Sequence, residues 1–198
     1  MDNETKILNL LKNKNYITTK EVESEGISRR FLSLLVNKGK IERLSRGVYS
    51  LPNELEDKFL IINSKSKFAI FSNLTALYFH GLCDRMPIKY DVTVKTGYNG
   101  SLQKSNYVNL FNVKKELHGL GLITVTTNYG NTVRVYDVER SICDIIKNKN
   151  KLDLELFNKS IRNYFYSKTK DTNKLYDYAK KLRVYDKVRK TFEVLTWL

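Results

Sequence analysis

The chain has 198 residues, 41% of them hydrophobic and 12% aromatic, with two prolines and a formal net charge of +14. That is apolar material for one packed domain, or for a small one beside a larger one, and no Gly-, Ser- or Pro-rich run marks a long disordered linker. No apolar run approaches a membrane span, and the N-terminal MDNETK lacks the apolar segment of a signal peptide, so a cytoplasmic protein is expected.

Residues 4–13 place Ile7, Leu8, Leu10 and Leu11 on one side of a first helix. Thr18 or Thr19 can cap a second, running to about Ser24, and Glu21 completes a capping box with Thr18. Gly26 breaks that helix, Ser28 caps a third from Arg29 to Lys38, and Gly39 stops it. Ile41–Leu44 and Val48–Leu51 then flank Ser45-Arg46-Gly47 as a hairpin. Three short helices followed by a hairpin make a winged helix-turn-helix over residues 1–52.

Residues 53–198 read as a larger mixed α+β domain with C-terminal helices, giving an α+β protein overall. Helices are expected at Glu54–Asn63, after Ser72 as cap and up to Gly81, and after Asp137 as cap. Asp91–Lys95 and Asn106–Val113 read as strands, and Leu122–Thr127 with Thr132–Tyr136 as a hairpin around Asn128-Tyr129-Gly130-Asn131. Leu154–Tyr166, Asn173–Leu182 and Asp186–Leu195 complete the chain as helices.

Cys83 and Cys143 lie far apart in apolar surroundings, without zinc-finger spacing, and read as reduced core residues. His80 and His118 have no partner at metal-ligand or catalytic spacing. No cofactor and no metal site is expected.

The charge is uneven. Residues 29–46 hold six basic residues against one acid, 53–146 hold 11 against nine, and 147–190 hold 14 against five. A basic block on a helix-turn-helix pattern points to double-stranded DNA as partner, ahead of a membrane. On the third helix, Phe31, Leu32, Leu35 and Val36 form the buried stripe, and Arg30, Ser33 and Asn37 the outward one, flanked by Arg29 and Lys38. Arginine grips guanine bidentately, asparagine pairs with adenine, and serine takes bases or phosphate. Ser28 opens this helix, and the hairpin adds Lys40, Arg43 and the wing-tip Arg46 as phosphate or minor-groove contacts. Cations in a first turn oppose the helix dipole by roughly a few tenths of a kcal/mol each, which a phosphate or guanine partner would offset.

These residues resemble the AbiEi-type antitoxins of bacterial type IV toxin–antitoxin and abortive-infection systems. The similarity runs through Gly26–Arg30, Gly39–Arg43 and Arg46–Pro52, then SNLTALYFHGLCDRMP (72–87) and DVERSICDII (137–146). It implies a winged helix that binds inverted repeats in its own promoter and represses the operon. It also implies a C-terminal antitoxin domain, 53–198, that counteracts a co-encoded nucleotidyltransferase-like toxin without a stable complex, as part of phage defence. The basic block suggests a second surface of Lys168, Lys170, Lys174, Lys180, Lys181, Arg183, Lys187, Arg189 and Lys190. It could meet DNA, meet toxin-modified RNA, or serve solubility alone. In the matching central motifs, Ser72 and Asp137 read as caps, Gly81 as a helix stop and Arg140 as a bridge to a neighbouring carboxylate.

Two rival readings remain at this stage. A winged helix fused to a nuclease would need clustered carboxylates and a lysine on a short strand. Asp91 and Lys95 come nearest, but Val92-Thr93-Val94 separates them and no second acidic cluster accompanies them. A protein-binding adaptor would make the outward arginines dispensable.

Overall fold

Asp2 opens the first helix, α1 (Asn3–Asn13), by accepting a hydrogen bond from the Thr5 N–H at 2.8 Å. The computed structural model describes residues 2–53 and 56–195. After α1 come a two-residue strand, β1 (Ile17–Thr18), and α2 (Thr19–Ser24). The expected capping box is formed: Glu21 N–H donates to Thr18 Oγ1, and the Glu21 carboxylate accepts from the Thr18 N–H.

Next is α3 (Arg30–Asn37), which starts one residue later than the sequence suggests. Its first bonds are of the tighter three-residue kind, from Phe31 N–H to Ser28 O and from Leu32 N–H to Arg29 O. Ser28 Oγ accepts from the Arg30 N–H at 3.4 Å. At the other end Lys40 N–H donates to Leu35 O and Gly39 N–H to Val36 O, with Gly39 at φ +67°. This left-handed stop favours glycine because a Cβ there meets the neighbouring carbonyl.

The hairpin follows as β2 (Glu42–Ser45) and β3 (Val48–Ser50). Its register, Glu42↔Ser50, Arg43↔Tyr49 and Ser45↔Val48, shifts at Leu44 and leaves Arg46-Gly47 as the turn. β3 also pairs with β1, so the sheet order is β1-β3-β2. Thr19 N–H donates to Gly47 O at 2.9 Å, which fastens the wing tip to the start of α2. Ile7, Leu11, Ile17, Val22, Ile27, Leu32, Leu35, Ile41 and Tyr49 form one core among these elements. Three helices around a small wing sheet make the winged helix-turn-helix.

The first compact unit does not end at residue 52. It comprises residues 1–67 and 126–133. α4 (Lys58–Ser64) belongs to it, and Glu54 and Leu55, where that helix was expected to start, lie outside the described residues. Asp57 supplies the cap instead, accepting from Phe59 N–H and Leu60 N–H. Its other oxygen accepts from Thr127 Oγ1 at 2.6 Å and Asn131 Nδ2 at 2.8 Å, and Asp57 is buried. These bonds hold the 126–133 turn in the first unit.

The second unit comprises 68–125 and 134–198. It carries β4 (Ile70–Phe71), α5 (Asn73–Phe79), β5 (Tyr90–Lys95) and β6 (Val108–Val113). β7 (Leu122–Thr126), β8 (Thr132–Tyr136), α6 (Val138–Asn148), α7 (Leu154–Tyr166), α8 (Thr172–Lys181) and α9 (Tyr185–Leu195) follow, with Thr126, Thr132 and Val133 of the two strands counted in the first unit. The sheet order is β6-β5-β4-β8-β7. β5 runs parallel to β6 and antiparallel to β4, and β4 runs parallel to β8. Residues of α5 to α9, including Leu77, Ile142, Ile145, Phe157, Ile161, Leu175 and Val188, close a second core. Cys83 and Cys143 are free and buried. No helix among the described residues is long and apolar enough to cross a membrane.

Candidate nucleic-acid interface

The first turn of α3 carries no acid, and the side chains of Ser28, Arg29, Arg30, Ser33, Asn37 and Lys38 are all exposed. Leu32 and Leu35 are fully buried on the opposite side, so the helix divides as its periodicity predicts. On the wing, Arg43 and Arg46 are exposed. Arg43 Nε donates to Ser45 O at 3.4 Å, within its own strand. Among the described residues no hydrogen bond or ion pair engages the Arg29, Arg30 or Arg46 side chains, which leaves three guanidinium groups open to an external anion.

Lys38 and Lys40 are different. Both donate to Glu4 of α1, Lys38 at 3.1 Å and Lys40 more closely still. The two ammonium groups hold the Glu4 carboxyl below its usual range. The sequence places these lysines among free DNA contacts; the fold brings an acid from α1 between them. Leu34, which the outward stripe read from the sequence passes over, is 46% exposed on the same face. A strict helical count from Arg30 would have found it.

The second basic set is only partly a free surface. Lys174 is half-buried and held by Asp137 at 3.1 Å and Glu139 at 3.5 Å. Arg189 pairs with Glu193 at 3.2 Å, and Lys170 Nζ donates to Phe165 O at 2.6 Å. Lys180 sits 5.8 Å from the Tyr185 ring centre. Lys168, Lys181, Arg183, Lys187 and Lys190 are exposed. Arg183 stands at φ +58° just past α8, with Val184 N–H donating to Ala179 O and Arg183 N–H to Lys180 O.

The central motifs do structural work. Asp137 Oδ1 caps α6 through the Arg140 N–H at 2.9 Å. Ser72 makes no cap bond with its side chain. Its Oγ accepts from Asn73 Nδ2 and Thr93 Oγ1, and the first turn of α5 is capped from the sheet, by Asp91 Oδ2 on the Leu74 N–H. Arg140 is buried; its Nε donates to Asp144 at 3.1 Å and its Nη1 to Leu117 O and Leu120 O. His80 Nε2 lies 2.8 Å from Tyr136 O.

Asp91 and Lys95, the pair that a nuclease would need, are engaged elsewhere. Asp91 is buried as the α5 cap and accepts from Asn109 Nδ2 at 3.0 Å. Burial pushes its carboxyl up to about 6, against the hydrogen bonds from Asn109 and the backbone. Lys95 Nζ lies 4.4 Å from the Phe68 ring centre. Among the described residues no group of three or more His, Cys, Asp or Glu is placed to hold a metal ion.

Residues 6–52 match a family model described as "Transcriptional regulator, AbiEi antitoxin". The match runs from within α1 to just past β3, the segment that carries the first motif of the resemblance. No curated protein sequence matches the chain. Among solved structures, the chain is similar to the crystal structure of the RV2827C protein from Mycobacterium tuberculosis. The TM-score is 0.57 at 11% identity, over 88% of this chain and 69% of that one. A likeness at that identity speaks for the fold.

Proposed function

We propose that this chain is a DNA-binding transcriptional regulator of the AbiEi antitoxin kind, acting in the cytoplasm. α3 enters the major groove of inverted repeats in its own promoter and the β2–β3 turn contacts the backbone, so that the operon is repressed. The chain beyond the winged helix carries the antitoxin part, which counteracts a co-encoded nucleotidyltransferase-like toxin of a type IV, phage-defence system without a stable complex.

The observation that carries this reading is the set of exposed guanidinium groups of Arg29, Arg30 and Arg46 on the outward helix face and wing tip, which no other described residue engages. They stand within the segment that matches the AbiEi regulator model. Fluorescence anisotropy on a duplex from the chain's own promoter is the test. Binding that is tighter than to unrelated DNA, and that weakens steeply with salt, is expected. Equal affinity for any duplex would overturn the repressor role. Growth rescue on co-expression with the neighbouring reading frame tests the antitoxin role separately.

A further inference from the structure

Leu34 is the one large apolar side chain that α3 turns to solvent; it is 46% exposed, while Leu32 and Leu35 on either side of it in sequence are fully buried. At 3.6 residues per turn it lies one turn after Arg30 and one turn before Lys38, on the row beside the one that holds Ser33 and Asn37. Phe31 and Val36 already flank the buried side and pack against the core. The fold therefore makes no demand for leucine at 34, and lysine, glutamate or glutamine would serve an exposed helical position as well.

The chemistry of a major groove explains the choice. Base edges there offer donors and acceptors, and thymine alone adds an apolar C5-methyl group. A single aliphatic side chain between two cationic ones matches a methyl group lying beside phosphates and polar base edges. We infer that Leu34 is a specificity-determining residue that packs on a thymine C5-methyl in the major groove. This rests on the reading of α3 as the DNA-reading helix.

The test uses the full chain and two duplexes of its promoter repeat, one natural and one with deoxyuridine in place of thymine. Uracil keeps the hydrogen-bonding edge and lacks the methyl group. Wild type should bind the uracil duplex about fourfold more weakly per contacted thymine, the free energy of burying one methyl group. Leu34→Ala should bind both duplexes alike, near the wild-type level on uracil, and Leu34→Met should restore the preference. Position 34 is exposed, so all three proteins should share one far-ultraviolet circular dichroism spectrum and melting temperature. Indifference of wild type to the methyl group would overturn the inference. So would a full thymine preference in Leu34→Ala. Failure of wild type to prefer the promoter duplex over unrelated DNA would strike the DNA-binding reading itself.

Discussion

Glu4 in the first turn of α1 accepts a hydrogen bond from Lys38 at the end of α3 at 3.1 Å, and Lys40 closes on the same carboxylate. An acid therefore sits between two of the cations that the sequence assigns to DNA. Glu4→Gln frees both ammonium groups. Against promoter DNA it should steepen the plot of log affinity against log salt by about one to two units, one per phosphate newly met. An unchanged slope would place Lys38 and Lys40 away from the backbone.

Arg30 and Arg29 should separate by the kind of loss. Arg30 stands in the outward stripe, so Arg30→Ala should cost roughly 1–3 kcal/mol on the repeat and relax base choice at one position. Arg29→Ala should weaken all duplexes alike and lower the salt slope by about one. Anisotropy titrations on wild-type and single-base variant duplexes check both. Matched affinities for wild type and Arg30→Ala would remove α3 from the interface.

Asp57 serves two segments at once, as cap of α4 and as acceptor for Thr127 and Asn131. Asp57→Ala removes the cap and leaves buried donors unpaired, at a cost of about 2–4 kcal/mol. Urea unfolding reads it as a lowered midpoint at constant slope. A loss below about 1 kcal/mol would mean that water replaces the carboxylate.

Asp91 gives the second unit a pH signature. Its native value of about 6 lies above the ordinary 3.8, so from about pH 4 to pH 6 the native state holds a proton that the unfolded chain has released. Stability therefore falls as pH rises through that window, by on the order of 3 kcal/mol once above it. Asp91→Asn has no such proton and should lack this component. Unfolding free energies that run parallel for wild type and variant from pH 4 to 7 would contradict the assignment.

Arg183 occupies a left-handed position, φ +58°, where helices usually place glycine. Arg183→Gly should raise the unfolding free energy by about 1 kcal/mol, as the Cβ strain disappears. An unchanged or lowered stability would mean that the arginine side chain compensates locally.

Most helices were legible because their signals are local. Thr18 with Glu21, Gly39 after α3, and Asp137 before α6 each act within a few residues, and the structure uses all three. What escaped comes from partners distant in sequence. Ser72 looks like the cap of α5, but the Leu74 N–H is taken by Asp91, 17 positions beyond Leu74. Glu4 lies 34 positions before Lys38, and nothing in the local pattern announces their pairing. β1 and β4 are two residues each, too short for any alternation to register. Lys174 reads as a surface charge until folding brings Asp137 and Glu139 beside it.

A ribosome making this chain finishes the first unit late. Asp57 must wait for Asn131, 74 positions further on, which takes about 4–15 s at ordinary rates of synthesis. Until then its buried carboxylate lacks two of its donors, although α1 to α4 have all emerged. A fragment cut at residue 67 reproduces that interim state, so its affinity for DNA would describe an unfinished unit.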